Sequence, residues 1–281
     1  MSIEQGQAFS SFAAAAAASR ENRRVHGTLA EDPAPRDENG NVSGDDAQKA
    51  LVLCSGGVDS TTLLALAVKR FGAENVYALS ISYGQRHEKE IESAKAVAAY
   101  YGVEQRFLDL SAIFADSNCS LLAHSTDEVP EESYAEQLDE TDGAPVSTYV
   151  PFRNGLFLSS AASMALGASV LFYGAHHDDW AGNAYPDCSV EFVNAMNLAI
   201  TQGTGGELHM EAPFVQWSKT DIVKCGLELG VPYELTWSCY EGGARPCGVC
   251  GTCIDRNRAF EANGMRDPLL DKLDAEGVPE N

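Results

Sequence analysis

Residues 51–64 read LVLCSGGVDSTTLL, and how this stretch is read decides the fold. The apolar run Leu51–Val52–Leu53 has the length of a buried strand. It meets Gly56 and Gly57, then Asp59 and the hydroxyls of Ser60, Thr61 and Thr62, and turns apolar again at Leu63. A parallel strand ends at its carboxyl edge, where α/β sheets bind ligands. Two glycines allow a sharp turn and bring backbone N–H groups close to an anion. The residues that follow open a helix, whose N-terminus favours negative charge. Strand, small polar loop and amphipathic helix together make a phosphate cradle. An ordinary strand–turn–helix joint is the plainer alternative. The pattern has neither the lysine of G-x-x-x-x-G-K-[ST] nor the spacing of G-x-G-x-x-G. Such a cradle suits a pyrophosphate that is held and released, with Asp59 as a partner for Mg²⁺.

Outside this stretch, strand-like and helix-like segments alternate: 51–54 then 60–70, 76–82 then 88–101, 105–109, 154–166, 169–174 then 189–202, and 207–212 then 219–229. That alternation predicts an α/β fold with a parallel sheet and helices on both faces, Rossmann-like. Residues 1–47 lack lasting periodicity and read as a disordered acidic and Ala-rich extension. Residues 48–235 form the expected α/β domain that carries the phosphate cradle. Residues 111–148 are polar and acidic and read as a long mobile insertion. Residues 236–281, rich in Cys and Gly, read as a small C-terminal unit.

The chain has 281 residues, a formal net charge of −22 and 44% hydrophobic residues, enough for a real core. That charge, with no concentrated basic stripe, argues against a nucleic-acid partner. No apolar run reaches the ~18 residues of a membrane helix, so no membrane association is expected. The Ala-rich run at 12–18 follows Glu4 rather than a basic segment, which argues against a signal peptide. A cytoplasmic location follows, where thiols stay reduced. The eight cysteines are then ligands or core residues. Cys239, Cys247, Cys250 and Cys253 are spaced C-x7-C-x2-C-x2-C, which suits one tetrahedral Zn²⁺. An iron–sulfur cluster or a redox dithiol are the alternatives.

The S-G-G-x-D-S loop resembles that of the adenylating ATP-pyrophosphatase (PP-loop) superfamily. Four further stretches narrow the resemblance: Ser82–His87 (SYGQRH), Val150–Asn154 (VPFRN), Gly174–Asp179 (GAHHDD) and Tyr185–Cys188 (YPDC). With the four cysteines, their order over residues 51–260 resembles the 7-cyano-7-deazaguanine synthase family of queuosine biosynthesis. Between strand and YPDC this chain reads HHDDWAGNA, where the commoner family pattern is shorter and carries E-T-D.

The resemblance implies a carbon–nitrogen ligase acting on 7-carboxy-7-deazaguanine, ATP and ammonia, with Mg²⁺, one Zn²⁺ per chain and a possible homodimer. It implies that Cys54, Ser55, Gly56, Gly57, Val58, Asp59, Ser60, Thr61, Thr62, Leu63 and Leu64 hold ATP. Arg86 and Arg153 would steady carboxylate or phosphate charge, and Lys219 would approach a phosphate. Asp178, Asp179 or Asp187 would accept from the base edge, and Tyr83 or Tyr185 would stack on the ring. Each has a plainer role open to it: a surface ion pair for Arg86, a helix start for Arg153, a turn for Tyr185, a helix cap for Asp178 and Asp179. Three rival functions remain at this point. They are a tRNA-modifying member of the same superfamily, a glutamine-fed ligase, and a zinc-stapled nucleotide sensor without turnover.

Overall fold

The computed structural model describes residues 48–140 and 145–280. The expectation for residues 1–47 therefore lies outside the described residues. Five strands form one parallel sheet: β1 (Ala50–Leu53), β2 (Val76–Ser82), β3 (Glu104–Asp109), β4 (Val170–Phe172) and β5 (His209–Glu211), in the order β3-β2-β1-β4-β5. β1 is central, pairing Ala50 with Val76 on one side and with Val170 on the other.

Side chains along a strand alternate between faces, and the core divides accordingly. Ala50, Val52, Val76, Ala78, Val170 and Phe172 face one hydrophobic cluster. Leu51, Leu79 and Leu171 face the other. A strand buried on both faces must read as a continuous apolar run, and this is why LVL is legible as a central strand. Helices α1 (Val58–Phe71) and α2 (Lys89–Tyr101) contribute to the first cluster. Helices α4 (Arg153–Met164) and α5 (Val190–Gly203) contribute to the second. α6 (Lys219–Leu229) follows β5 and adds Ile222 and Cys225 to the first cluster. Between α2 and α4 lies the short helix α3 (Tyr134–Glu140). Strand order reverses between β1 and β4, so the segments leaving their carboxyl ends diverge and open a crevice there.

The segment 111–148 corrects one expectation. Its described residues include buried apolar anchors between exposed positions. Phe114, Leu121 and Leu122 are buried against Tyr83 and Val150, and Gln85 bridges to Leu122. A few apolar anchors outweigh the polar composition around them. The C-terminal helices α7 (Gly251–Ala262) and α8 (Pro268–Ala275) finish the molecule. Ala259 and Phe260 of α7 share a cluster with Val58 and Ala65 of α1 and Val223 of α6. No helix among the described residues is long and apolar enough to cross a membrane.

Candidate active site

The reversal of strand order predicts where a ligand binds, and a cavity of about 260 Å³ opens there. Its floor is the Cys54–Ser60 turn. Gly56 has φ +84, and a Cβ there would lie 2.4 Å from the Ala94 nitrogen and 2.6 Å from the Glu90 carbonyl oxygen. Only glycine lets the loop press this closely on α2. α1 begins without a side-chain cap, so the first N–H groups of the helix are left without intrahelical partners. Ser55 and Ser60 Oγ lie 3.1 Å apart.

Around Asp59 stands a charged group assembled from distant segments. Lys219 Nζ, at the start of α6, is 3.0 Å from Asp59 Oδ2. His176 Nε2, following β4, is 3.7 Å from the same oxygen and 3.3 Å from Asp179 Oδ1. Burial pushes the Asp59 carboxyl up, but the Lys219 ammonium and His176 together push it down further, and it stays ionised. Asp59 Oδ1 and both His176 ring nitrogens are buried without a hydrogen-bond partner among the described residues. A buried unpartnered acceptor costs free energy, and here it faces a cavity that could take a cation or a phosphate-bound ligand.

The other half of the cavity is aromatic. Arg153 stacks 4.8 Å from the centre of the Tyr83 ring, and its Nη1 has no hydrogen-bond partner among the described residues. Phe152 just before it has φ +58, the left-handed region that bulky residues rarely adopt. Asp187 fixes the start of α4 by accepting from Asn154 N (2.9 Å) and Nδ2 (3.1 Å). Tyr185 donates to or accepts from Thr148 Oγ1, and its ring meets the Tyr134 ring edge-on at 5.5 Å. Tyr134 OH lies 2.7 Å from Tyr240 OH.

The structure brings most of the expected residues together. Cys54, Ser55, Gly57, Asp59, Ser60, Tyr83, Arg153, Asp179, Tyr185 and Lys219 all line the cavity. Others stand behind it. Val58, Thr62, Leu63 and Leu64 are buried in the helix packing, where Thr62 Oγ1 meets Tyr233 OH at 2.7 Å. Thr61 is fully buried, with Oγ1 unpartnered. Arg86 donates to the carbonyls of Ser120 and Asp127, so it ties down the 111–148 segment rather than facing ligand. Asp178 Oδ2 accepts from the Lys219 backbone N–H at 2.8 Å, capping α6. Asp187 spends both carboxylate oxygens on Asn154, which leaves it poorly placed to read a base. Sequence reasoning missed Glu90, Tyr134, Trp237 and Tyr240, all of which line the cavity. Glu90 sits three residues beyond His87, the end of the quoted SYGQRH stretch, the only local hint available.

The four ligand atoms of Cys239, Cys247, Cys250 and Cys253 lie within 4.8 Å of one another. Cys239 Sγ accepts from Cys247 N and Cys247 Sγ from Cys250 N, each at 3.3 Å. A four-sulfur set with N–H donors on the sulfurs fits a tetrahedral metal ion. This cluster adjoins the cavity through Trp237, Ser238 and Tyr240, and Trp237 N–H donates to Gly56 O at 3.0 Å.

Comparison with known proteins gives a consistent result. The family model for "Queuosine biosynthesis protein QueC" matches residues 49–264. A 7-cyano-7-deazaguanine synthase of Archaeoglobus fulgidus is 46% identical over 225 residues, covering 79% of this chain and 90% of that protein. The synthase of Caldicellulosiruptor saccharolyticus is 47% identical over 223 residues, covering 79% and 94%. That of Thermoplasma acidophilum is 42% identical over 233 residues, covering 79% and 91%. Among solved structures, NMN synthetase from Francisella tularensis aligns with a TM-score of 0.43 at 14% identity, over 81% of this chain and 82% of that one. With the matched segment spanning every strand of the sheet and all four clustered cysteines, the chain belongs to the QueC family of queuosine biosynthesis proteins.

Proposed function

We propose that this protein is an ATP-dependent ligase that converts 7-carboxy-7-deazaguanine and ammonia to 7-cyano-7-deazaguanine. One observation carries the reading: the anion-binding turn with its Asp59–Lys219 pair and the Arg153–Tyr83 aromatic wall share a single cavity. A nucleotide half and a ring-binding half so joined suit the transfer of AMP to a planar acid. A carboxylate is a poor electrophile. Adenylation turns one of its oxygens into a phosphate leaving group and releases pyrophosphate to the turn at Ser55–Ser60. Ammonia then forms the C–N bond as AMP departs, giving the amide. A second adenylation, at the amide oxygen, and loss of AMP give the nitrile.

The chain's own groups act by position and charge. Lys219 offsets phosphate charge while keeping Asp59 ionised. Arg153 holds the substrate carboxylate, a task suited to a planar fork, and Tyr83 and Tyr185 flank the ring. Asp59 Oδ1, buried and unpartnered, fits the Mg²⁺ that accompanies ATP and neutralises its phosphates. Cys239, Cys247, Cys250 and Cys253 fit one structural Zn²⁺.

The test is mass spectrometry of purified protein with 7-carboxy-7-deazaguanine, ATP, Mg²⁺ and ammonium. Nitrile with two AMP per nitrile is expected. AMP without nitrile would leave adenylation standing and overturn the substrate. Neither product, from folded protein, would favour a nucleotide sensor.

A further inference from the structure

A nitrile nitrogen carries no hydrogen, so every N–H bond of the incoming ammonia is broken before the product leaves. Adenylation of the carboxylate moves no proton. Amide formation releases one from nitrogen as the C–O bond to AMP breaks. Collapse to the nitrile releases the others as the second AMP departs. The site therefore needs a group that takes protons from nitrogen and passes them to water.

The ionisable groups of the cavity narrow the choice. Asp59 is held ionised: burial pushes its carboxyl up, but Lys219 and His176 bring it below the ordinary carboxylate range. The thiol of Cys54 is pushed by burial up to about 11, and that of Cys188 is raised further by burial and nearby carboxylates. Tyr83, Tyr134, Tyr173, Tyr185 and Tyr240 are all raised by burial. Asp179 also titrates upward through burial, but it stands against His176 on the phosphate side and accepts its backbone N–H. Glu90 remains. It lies in the first turn of α2, with its backbone against Gly56 and its side chain lining the cavity. The charged and titratable groups that face it are Tyr83 on the loop after β2, Arg153 on α4 and Cys239 on the Cys-rich segment. It thus borders the half of the cavity assigned to the acid, not the half assigned to phosphates. Burial raises its carboxyl to about 7, with Arg153 opposing and Cys239 adding to the rise.

We propose that Glu90 is the catalytic proton acceptor of the nitrogen steps, taking protons from the amine as C–N bonds form and as the nitrile emerges. This rests on the nitrile-forming reading above. The group is partly exposed, so it can return each proton to water before the next is shed.

Two partial reactions separate the roles. Pyrophosphate exchange into ATP, driven by 7-carboxy-7-deazaguanine without ammonia, reports adenylation, a step with no proton transfer. Nitrile formation reports the nitrogen steps. For Glu90→Gln the expected result is nitrile formation down about 10²- to 10⁴-fold, the usual worth of a general base, with exchange changed by less than threefold. Glu90→Asp, which keeps the acid on a shorter stem, is expected to recover part of the loss, with an altered pH profile. Exchange by the same variants doubles as the control for folding. Nitrile formation by Glu90→Gln within threefold of the parent would overturn the proposal and pass the role to the departing phosphate or solvent. Equal loss of exchange and nitrile in both variants would overturn it in favour of a structural role. Parent protein that exchanges pyrophosphate with this acid but makes no nitrile would instead sink the underlying reading.

Discussion

At the scale of single residues, the Asp59–Lys219 contact makes the sharpest prediction. On the proposed reading the lysine does two things at once: it would face the phosphates, and it keeps Asp59 anionic in a partly buried place. Lys219→Met should lower kcat/KM for ATP by about 10²-fold or more, the scale of losing one electrostatic contact to a developing charge. Without the ammonium, Asp59 titrates at a higher pH, so the acid limb of the exchange activity should move upward. A loss with no movement of that limb would mean the lysine acts on ATP alone. Glu90 carries an opposite signature. Its folded carboxyl is raised to about 7, so the folded state binds more protons than the unfolded chain between about pH 4.5 and 7. Stability attributable to Glu90 therefore falls as pH rises across that window. Glu90→Gln should melt higher than the parent at pH 8 and match it near pH 4.5; equal melting at both would show that the carboxyl is not perturbed. The two residues also show what was readable. Asp59 and Lys219 stand out because glycine or hydroxyl residues precede or flank them at helix starts, and Arg153 because it belongs to the VPFRN stretch. Glu90 sits in a helix with a dozen ordinary neighbours. Only packing of α2 against Gly56 turns it inward, and no local pattern encodes that.

Among elements, the central strands β1 and β4 were legible because apolar runs buried on both sheet faces have no polar alternation to confuse them, whereas edge strand β3 (EQRFLD) is mostly exposed. The 111–148 segment was not legible. Its acidic composition outweighs, in sequence, the few residues (Phe114, Leu121, Leu122) that anchor it in space. β5 offers a separate test, since only three residues form it. It is fastened to α1 by Arg70, whose Nη1 and Nη2 donate to Glu211 at 2.8 and 3.4 Å. Burial would raise Glu211, but His209 and Arg70 bring it from 4.5 to about 2. That is on the order of 3 kcal/mol of stability, present in full above about pH 4.5 and lost as pH falls through about 2. Glu211→Gln should therefore destabilise at pH 7, with the deficit closing below pH 4.5 in urea unfolding. The Cys-rich unit depends on a different linkage. Arg256 and Asp267, both 3% exposed, are joined through two hydrogen bonds of 2.6 and 2.8 Å, and Arg256 reaches Ser238 beside the cavity. Arg256→Ala leaves a buried carboxylate unpaired, so a loss of about 3–5 kcal/mol is expected. Removal of metal from the four cysteines, followed by elemental analysis, should loosen the 237–240 wall. Activity is then expected to fall with metal content, because the Trp237 backbone N–H is bonded to the Gly56 carbonyl of the Ser55–Ser60 turn.

The whole molecule carries a formal net charge of −22, and the substrates proposed for it are anions too. Lys219 and Arg153, the positive groups proposed to meet them, line the cavity. A net negative charge of this size disfavours binding a run of phosphates, which fits a small-molecule substrate better than a tRNA. The same charge has a consequence for stability. Like charges on a compact surface repel, and unfolding lets them move apart. Salt screens that repulsion, with a Debye length of about 10 Å at 0.1 M and about 3 Å at 1 M. Surface pairs such as Arg266 with Asp271 and Asp274 are screened as well, which works the other way. Exposed pairs of this kind are each worth roughly 0–1 kcal/mol, whereas the repulsion sums over every excess carboxylate. Repulsion should win. The melting temperature at pH 7 is expected to rise between 0.1 and 1 M NaCl. Near the sequence pI of about 4.5 the net charge vanishes, so the repulsive part of the salt effect should vanish with it. A melting temperature that falls with NaCl at pH 7 would mean that specific ion pairs, not net charge, govern the stability of this fold.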